Sequence, residues 1–237
     1  MSEFGRMYKN ALTWGVLAAG LLFRGALAAM DALYRGGSFW QRAAGFWDGT
    51  GSVALAALVL LALIHVFSAD RETMAEELVL TTPFGRGRLF ARRIAAAALA
   101  AVTGALILAA GNLALSALLS SEPMPDGWLS GYARTSLTAV LGAALYAVFA
   151  GCICDALRAH AAAVCLAGAP VALAYFVNTT GVDLSAAMRL VQGGAFTPLM
   201  RGRAPEGNAA LWAAWYALLL TAVLAWALKS RKGRKAL

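Results

Sequence analysis

Residues 94–119 read IAAAALAAVTGALILAAGNLALSALL, a run of 26 residues without a charge and dominated by alanine and leucine. A hydrocarbon core about 30 Å thick takes ~20 residues of α-helix, so this run alone is long enough to cross a bilayer. Its apolar residues are unbroken rather than alternating, which argues against a strand. A backbone surrounded by lipid must satisfy its own hydrogen bonds, and an unbroken run does so as a helix. Working outward, five more stretches qualify: 11–33, 52–69, 136–154, 161–177 and 209–228. The sequence therefore predicts an all-α polytopic membrane protein with six transmembrane helices in a single domain over residues 1–237.

Composition agrees. Hydrophobic residues make up 61% of the 237 and charged residues 14%, with a mean hydropathy of +0.68. Soluble domains have roughly 45–50% apolar and about 25% charged residues. A soluble enzyme, a disordered chain and a disulfide-stapled secreted domain are all excluded. The net charge of +8 would fit a nucleic-acid binder in a soluble protein. In a membrane protein the placement of the basic residues matters more, and no nucleic-acid partner is expected.

An even number of spans puts both termini on one side. If that side is cytoplasmic, it carries thirteen basic residues: Arg6, Lys9, Arg71, Arg86, Arg88, Arg92, Arg93, Arg158, Lys229, Arg231, Lys232, Arg234 and Lys235. The other side holds six: Arg35, Arg42, Arg134, Arg189, Arg201 and Arg203. The bias favours cytoplasmic termini and a multi-pass protein of the cell (plasma) membrane. The first span shares the charged start and short apolar core of a signal peptide, but is read here as a retained helix.

Between the spans, Phe39, Trp40, Phe46 and Trp47 recur at a spacing of seven, one face of a short helix. They are expected at headgroup level, where amphipathic aromatics settle, with a substrate vestibule as the alternative. Residues 178–208 form a connection long enough to imply a role. Its 184–191 stretch is a candidate amphipathic helix, ended by Gly193-Gly194 and Pro198. Cys152, Cys154 and Cys165 are an odd set in apolar surroundings, expected as buried free thiols. No metal site is expected. Glycines 15, 20, 104, 111, 142, 151 and 168 allow close helix packing, and Pro170 removes one backbone donor from the fifth span.

Residues 69–93 stand apart. Asp70, Glu72, Glu76 and Glu77 come first, and Arg86, Arg88, Arg92 and Arg93 follow. Acids in a first turn complement the helix dipole, and Met74 and Leu78 form an apolar ridge beside Glu72 and Glu76. Pro83 ends the element, and Gly85 and Gly87 permit a sharp turn. Arg92 and Arg93 are accounted for as headgroup-level cations. The acidic-apolar helix ahead of Pro83 is not explained by membrane insertion.

This segment resembles the first cytoplasmic loop of ABC-2-type transporter permeases. Members often read there as acid-Arg-Glu, a Gly-Thr step, Glu-Leu-Leu-Leu-Ser-Thr-Pro, and a basic stretch leading into the next helix. Asp70-Arg71-Glu72 matches the opening, Glu77-Leu78-Val79-Leu80-Thr81-Thr82-Pro83 the middle, and Arg86 with Arg92 or Arg93 the close. Met74 and Ala75 depart from the Gly-Thr step. The resemblance implies a membrane permease subunit of an ABC exporter, with a short cytoplasmic coupling helix between spans two and three. That helix would dock on a separate ATP-binding cassette subunit through Asp70, Arg71, Glu72, Met74, Glu76, Glu77, Leu78, Pro83 and Arg86. It also implies a second permease, either a copy of this chain or a relative, and a hydrophobic or amphipathic substrate such as a peptide, antibiotic or lipid-like molecule.

Consistent with that division of labour, no G-x-x-x-x-G-K-[ST] loop exists. Lys229-Ser230 is the only Lys followed by Ser or Thr, and Leu228 precedes it. ATP and Mg are expected on the partner, with no cofactor and no catalytic residue here. Glu76-Glu77 invites comparison with the paired glutamates of one class of membrane protease. Thr81 stands where that class has Arg, however, and the pair lies in a loop. A non-transporting scaffold, immunity or sensor component is the alternative, and it would not need a coupling helix.

Arg24 is the remaining candidate. It falls near the middle of the first span, where a charge costs about 2.5–3.5 kcal/mol on insertion scales. Asp31 is seven residues on, ~10 Å away along a helix, too far for contact. Arg24 is expected either to face the interior and bind a substrate or lipid group, or to pair with a neighbouring subunit or reach the headgroups. Membrane lipid is a partner in either case.

Overall fold

The computed structural model describes residues 9–35, 38–68, 85–157, 160–180, 196–204 and 208–232. Over these residues the chain is helical, with no strand. Helix α1 covers Ala11–Arg35 and the short α2 covers Phe39–Ala44. A π-helical turn at Trp47–Gly51 leads into α3, Ser52–Ser68. Then come α4 (Gly85–Leu119), α5 (Trp128–Leu157), α6 (His160–Thr180), the four-residue α7 (Thr197–Met200) and α8 (Ala209–Lys232).

Among the described residues, four helical stretches are long and apolar enough to cross a membrane: Phe39–Phe67, Gly87–Leu119, Trp128–Leu157 and Ala209–Ser230. Two further apolar helices, Ala11–Leu27 and Ala162–Leu173, are shorter.

The centre of the bundle is α3 with α5. α5 packs on α3, α4, α6, α7 and α8, while α1 packs on α3 and α4, and α8 rests chiefly on α5. Small residues set these distances. Ala97, Ala101 and Ala105 on α4 are fully buried. A Cβ on Gly104 would run into the Leu58 side chain, and one on Gly20 would lie 2.7 Å from Ala54 Cβ. Close approach of backbones is how helices associate where lipid is as apolar as leucine. Gly15, expected to share this role, has no such neighbour.

Helix α4 runs well beyond its apolar run. α4 begins at Gly85, so Arg86, Arg88, Arg92 and Arg93 ride on its first turns rather than in a turn at Gly85 and Gly87. Each interior glycine costs a helix only about 1 kcal/mol, and the neighbouring Arg, Leu, Phe and Ala residues favour helix. At 1.5 Å per residue, 35 residues reach ~52 Å, well beyond the hydrocarbon thickness. Pro170 lies inside α6.

Described residues flanking the long helices meet at two ends of the bundle. Trp40 of α2 donates to the Glu122 carbonyl oxygen (3.0 Å) and Asp48 pairs with Arg201 and Arg203, so residues 38–51, 120–127 and 196–204 share one end. We call it the tryptophan end. At the other end Asn10 meets His65, and Phe67 meets Arg93.

Candidate functional site: the two ends of the helical bundle

The aromatics at the tryptophan end are turned inward, contrary to the headgroup-level expectation. Trp40, Phe46 and Trp47 are all buried. The Trp47 indole N–H donates to Ser136 Oγ at 2.9 Å, and the Trp128 indole donates to the Trp40 carbonyl oxygen at 2.7 Å. Trp128 stacks on Tyr132 with centroids 4.9 Å apart and planes 11° from parallel. An indole whose N–H has a protein acceptor need not seek the wet interface. Gly51 makes the turn possible, since a Cβ there would sit 2.6 Å from the Phe46 ring. Phe39, by contrast, is only half-buried.

Against this platform lies the segment 196–204. Phe196 has a left-handed backbone (φ 56°) and is fully buried, edge-on to Phe149 and tilted against Tyr216. Pro198 opens α7 rather than ending an element, a first-turn position in which its missing N–H is harmless. Met200 is fully buried. The Gly142 backbone of α5 lets this segment in, because a Cβ would meet Met200 N at 2.5 Å and Leu199 C at 2.7 Å. Two cations pin the far side: Arg201 donates to the Asp48 carbonyl oxygen (3.1 Å) and pairs with its carboxylate (3.5 Å), and Arg203 donates to Asp48 Oδ2. Asp48 and Arg201 are 153 residues apart, and sequence reasoning missed the pair. The one available signal is that an Arg-Gly-Arg run faces an isolated acid in another loop.

Arg24 is placed differently from the expectation. It lines a small recess with Gly25, Phe39, Ala43, Asn112, Leu115 and Ser116. Asn112 and Ser116 are within ~10 Å of the end of α4 at Leu119, counting 1.5 Å per residue. Arg24 is thus level with the tryptophan end, not with the middle of the bundle. Tilt and offset between α1 and α4 set that level, and neither is encoded in the position of Arg24 within its own run. Asn112 donates to the Ala43 carbonyl oxygen (3.2 Å) and to Tyr132 Oη (3.1 Å), and Tyr132 donates to the Ala109 carbonyl oxygen (2.9 Å).

At the opposite end, Asp70, Arg71, Glu72, Met74, Glu76, Glu77, Leu78 and Pro83 lie outside the described residues. Arg86 is helical in the first turn of α4, and its side chain is likewise outside them. What the structure describes is the frame on either side. Arg93 is not a headgroup-level cation: it is 5% exposed, with its guanidinium 5.3 Å from the centroid of the Phe67 ring. Arg92 is exposed. Phe67 ends α3 and Arg93 begins the apolar part of α4, so this cation–π contact clasps the two helices that residues 69–84 join. Such contacts contribute ~0.5–2 kcal/mol. Phe67→Leu, which keeps the apolar bulk and removes the ring face, is expected to lower the unfolding midpoint by roughly 2–4 °C. An unchanged midpoint in a detergent melt would show that the ring face contributes nothing.

His65 donates through Nδ1 to the Leu61 carbonyl oxygen (3.0 Å) and accepts from Asn10 Nδ2. Cys152 and Cys154 are buried free thiols as expected, while Cys165 is exposed. Among the described residues, no three His, Cys, Asp or Glu side chains are grouped to hold a metal ion. Comparisons with protein-family models, curated proteins and solved structures return no match to this chain.

Proposed function

We propose that this chain is the membrane-spanning permease subunit of an ABC exporter, moving a hydrophobic or amphipathic substrate. It would work with a separate ATP-binding subunit that holds ATP and Mg. The observation that carries the reading is the acidic-then-basic sequence of residues 70–93, with its Glu77-Leu-Val-Leu-Thr-Thr-Pro83 core. It bridges two helices clasped by Arg93 and Phe67. A docking helix on flexible stalks would dissipate a push from its partner. On stalks tied together at their base, the push is passed to α3 and α4, and from them to α5, which packs on both.

The reading takes all six apolar helices as spans, with both termini and residues 69–84 cytoplasmic in the plasma membrane and the tryptophan end outside. Among the described residues four helices have the length to cross, which supports four of the six, and two further apolar helices are shorter. A second permease, identical or related, would complete the pathway.

The test is co-purification in mild detergent from native membranes. An ATP-binding subunit should be recovered with ATPase activity. Glu72→Lys/Glu77→Lys should lower its recovery at least tenfold while the permease itself remains in the membrane. Repeated preparations of this chain without any nucleotide-binding partner would overturn the assignment.

A further inference from the structure

The start of α1 is tied to α3, at the end opposite the tryptophans, by two side chains that the transport reading does not use. Asn10 precedes α1, and its Oδ1 accepts from the Leu12 N–H at 2.8 Å, the side-chain cap that a helix start calls for. That bond fixes the amide orientation, so Nδ2 is the atom turned to His65 Nε2. His65 belongs to the last turn of α3, and its Nδ1 lies 3.0 Å from the Leu61 carbonyl oxygen. A carbonyl oxygen only accepts, so Nδ1 carries the ring proton. Nε2 then offers a bare lone pair to the Asn10 amide. The two bonds together require a neutral imidazole in one tautomer.

His65 is only half-buried, so protons from the medium reach it, and histidine is the side chain that changes charge between pH 5 and 8. A second ring proton, on Nε2, would face the amide hydrogens of Asn10, donor against donor. Turning the amide over relieves that contact only by presenting Nδ2 to the Leu12 N–H, which uncaps α1. We propose that Asn10 and His65 form an acid-sensitive clasp: the neutral ring holds the first turn of α1 on α3, and protonation releases it. The attachment there is otherwise thin. Thr13 and Leu17 are buried, but Leu12 and Trp14 are 62% and 50% exposed, and a Cβ on Gly15 would meet nothing within 4 Å. The other charged or titratable groups of the neighbouring elements at this end are Lys9 ahead of α1, Arg88, Arg92 and Arg93 on α4, Cys154 and Asp155 on α5, and His160 opening α6. Arg93 is held over Phe67, and Lys9, Arg92 and Asp155 have interactions of their own.

The test is hydrogen exchange read by mass spectrometry on the full chain in neutral detergent, at about pH 8 and about pH 5.5. Protection factors remove the intrinsic pH dependence of exchange. On acidification the wild type should lose about fivefold protection over residues 11–16, the change expected of one lost cap, while residues 139–150 of α5 keep theirs. His65→Gln still offers Asn10 an acceptor and does not titrate, so its protection should be the same at both pH values. Asn10→Asp keeps an acceptor for the Leu12 N–H and gives the imidazolium a carboxylate. Its response should therefore reverse, with more protection in acid, and it remains informative if His65→Gln fails to fold. Equal wild-type protection at both pH values would overturn the proposal. So would the wild-type response persisting in His65→Gln, or Asn10→Asp losing protection in acid as the wild type does. No ATP-binding partner takes part in this readout, so it succeeds or fails independently of the transport reading.

Discussion

Gly142→Ala is expected to lower the unfolding midpoint, while Gly131→Ala, eleven residues earlier on the same helix, leaves it unchanged or raises it. Glycine to alanine in a helix interior ordinarily stabilises by up to about 1 kcal/mol. At Gly131 nothing lies within 4 Å of the added carbon, so that gain stands alone. At Gly142 the added carbon meets the backbone of Leu199 and Met200, which cannot rotate aside as a flexible side-chain end would. Segment 196–204 must then lift from α5, taking buried Met200 and Leu199 with it. Overpacking of this kind costs about 1–3 kcal/mol, roughly 3–10 °C in a domain of this size. Gly142→Leu should prevent a monodisperse fold altogether. Limited proteolysis at Arg201 and Arg203 gives a second readout, because a lifted segment is cut faster. A Gly142→Ala protein as stable as the Gly131→Ala control would show that 196–204 does not pack at this site.

Trp47→Ala is expected to have the larger effect among side-chain truncations, about 3–5 kcal/mol. Trp47 is fully buried, edge-on to Phe46 with centroids 4.9 Å apart, and joined to α5 through Ser136. Truncation opens a cavity where the turn at Trp47–Gly51, α3 and α5 meet, and it leaves the Ser136 hydroxyl without its donor. Trp47→Phe and Ser136→Ala separate these contributions: Trp47→Phe keeps most of the volume, and Ser136→Ala removes only a hydrogen bond worth about 1 kcal/mol. The expected order of unfolding midpoints in detergent is wild type, Ser136→Ala, Trp47→Phe, Trp47→Ala. A midpoint for Trp47→Ala close to that of Ser136→Ala would mean the indole packs against lipid, as its spacing alone implied.

That spacing shows where sequence reading stops. Phe39, Trp40, Phe46 and Trp47 do recur on one helical face, but period identifies a face without saying what covers it. Trp40 and Trp47 face protein because Glu122, Trp128 and Ser136, roughly 80 to 90 residues further along the chain, supply partners. Arg93 illustrates the same limit. A basic residue at a span end reads as a headgroup contact until α3 brings Phe67 beneath it.

The helical character of the chain and the apolar runs long enough to cross a membrane were legible in the sequence. Those properties are local: an uncharged run of twenty residues has one way to satisfy its backbone in lipid, whatever its neighbours do. The sequence also contained the whole of the acidic-then-basic motif at residues 70–93, which is contiguous. The level of Arg24, the inward turn of the tryptophans, the seating of 196–204 on Gly142 and the pairing of Asp48 with Arg201 and Arg203 came only with the packing of the helices. Each depends on the offset between helices far apart in the chain. That offset is set by how closely backbones approach at positions such as Gly20, Gly104 and Gly142, and hydropathy carries no information about it.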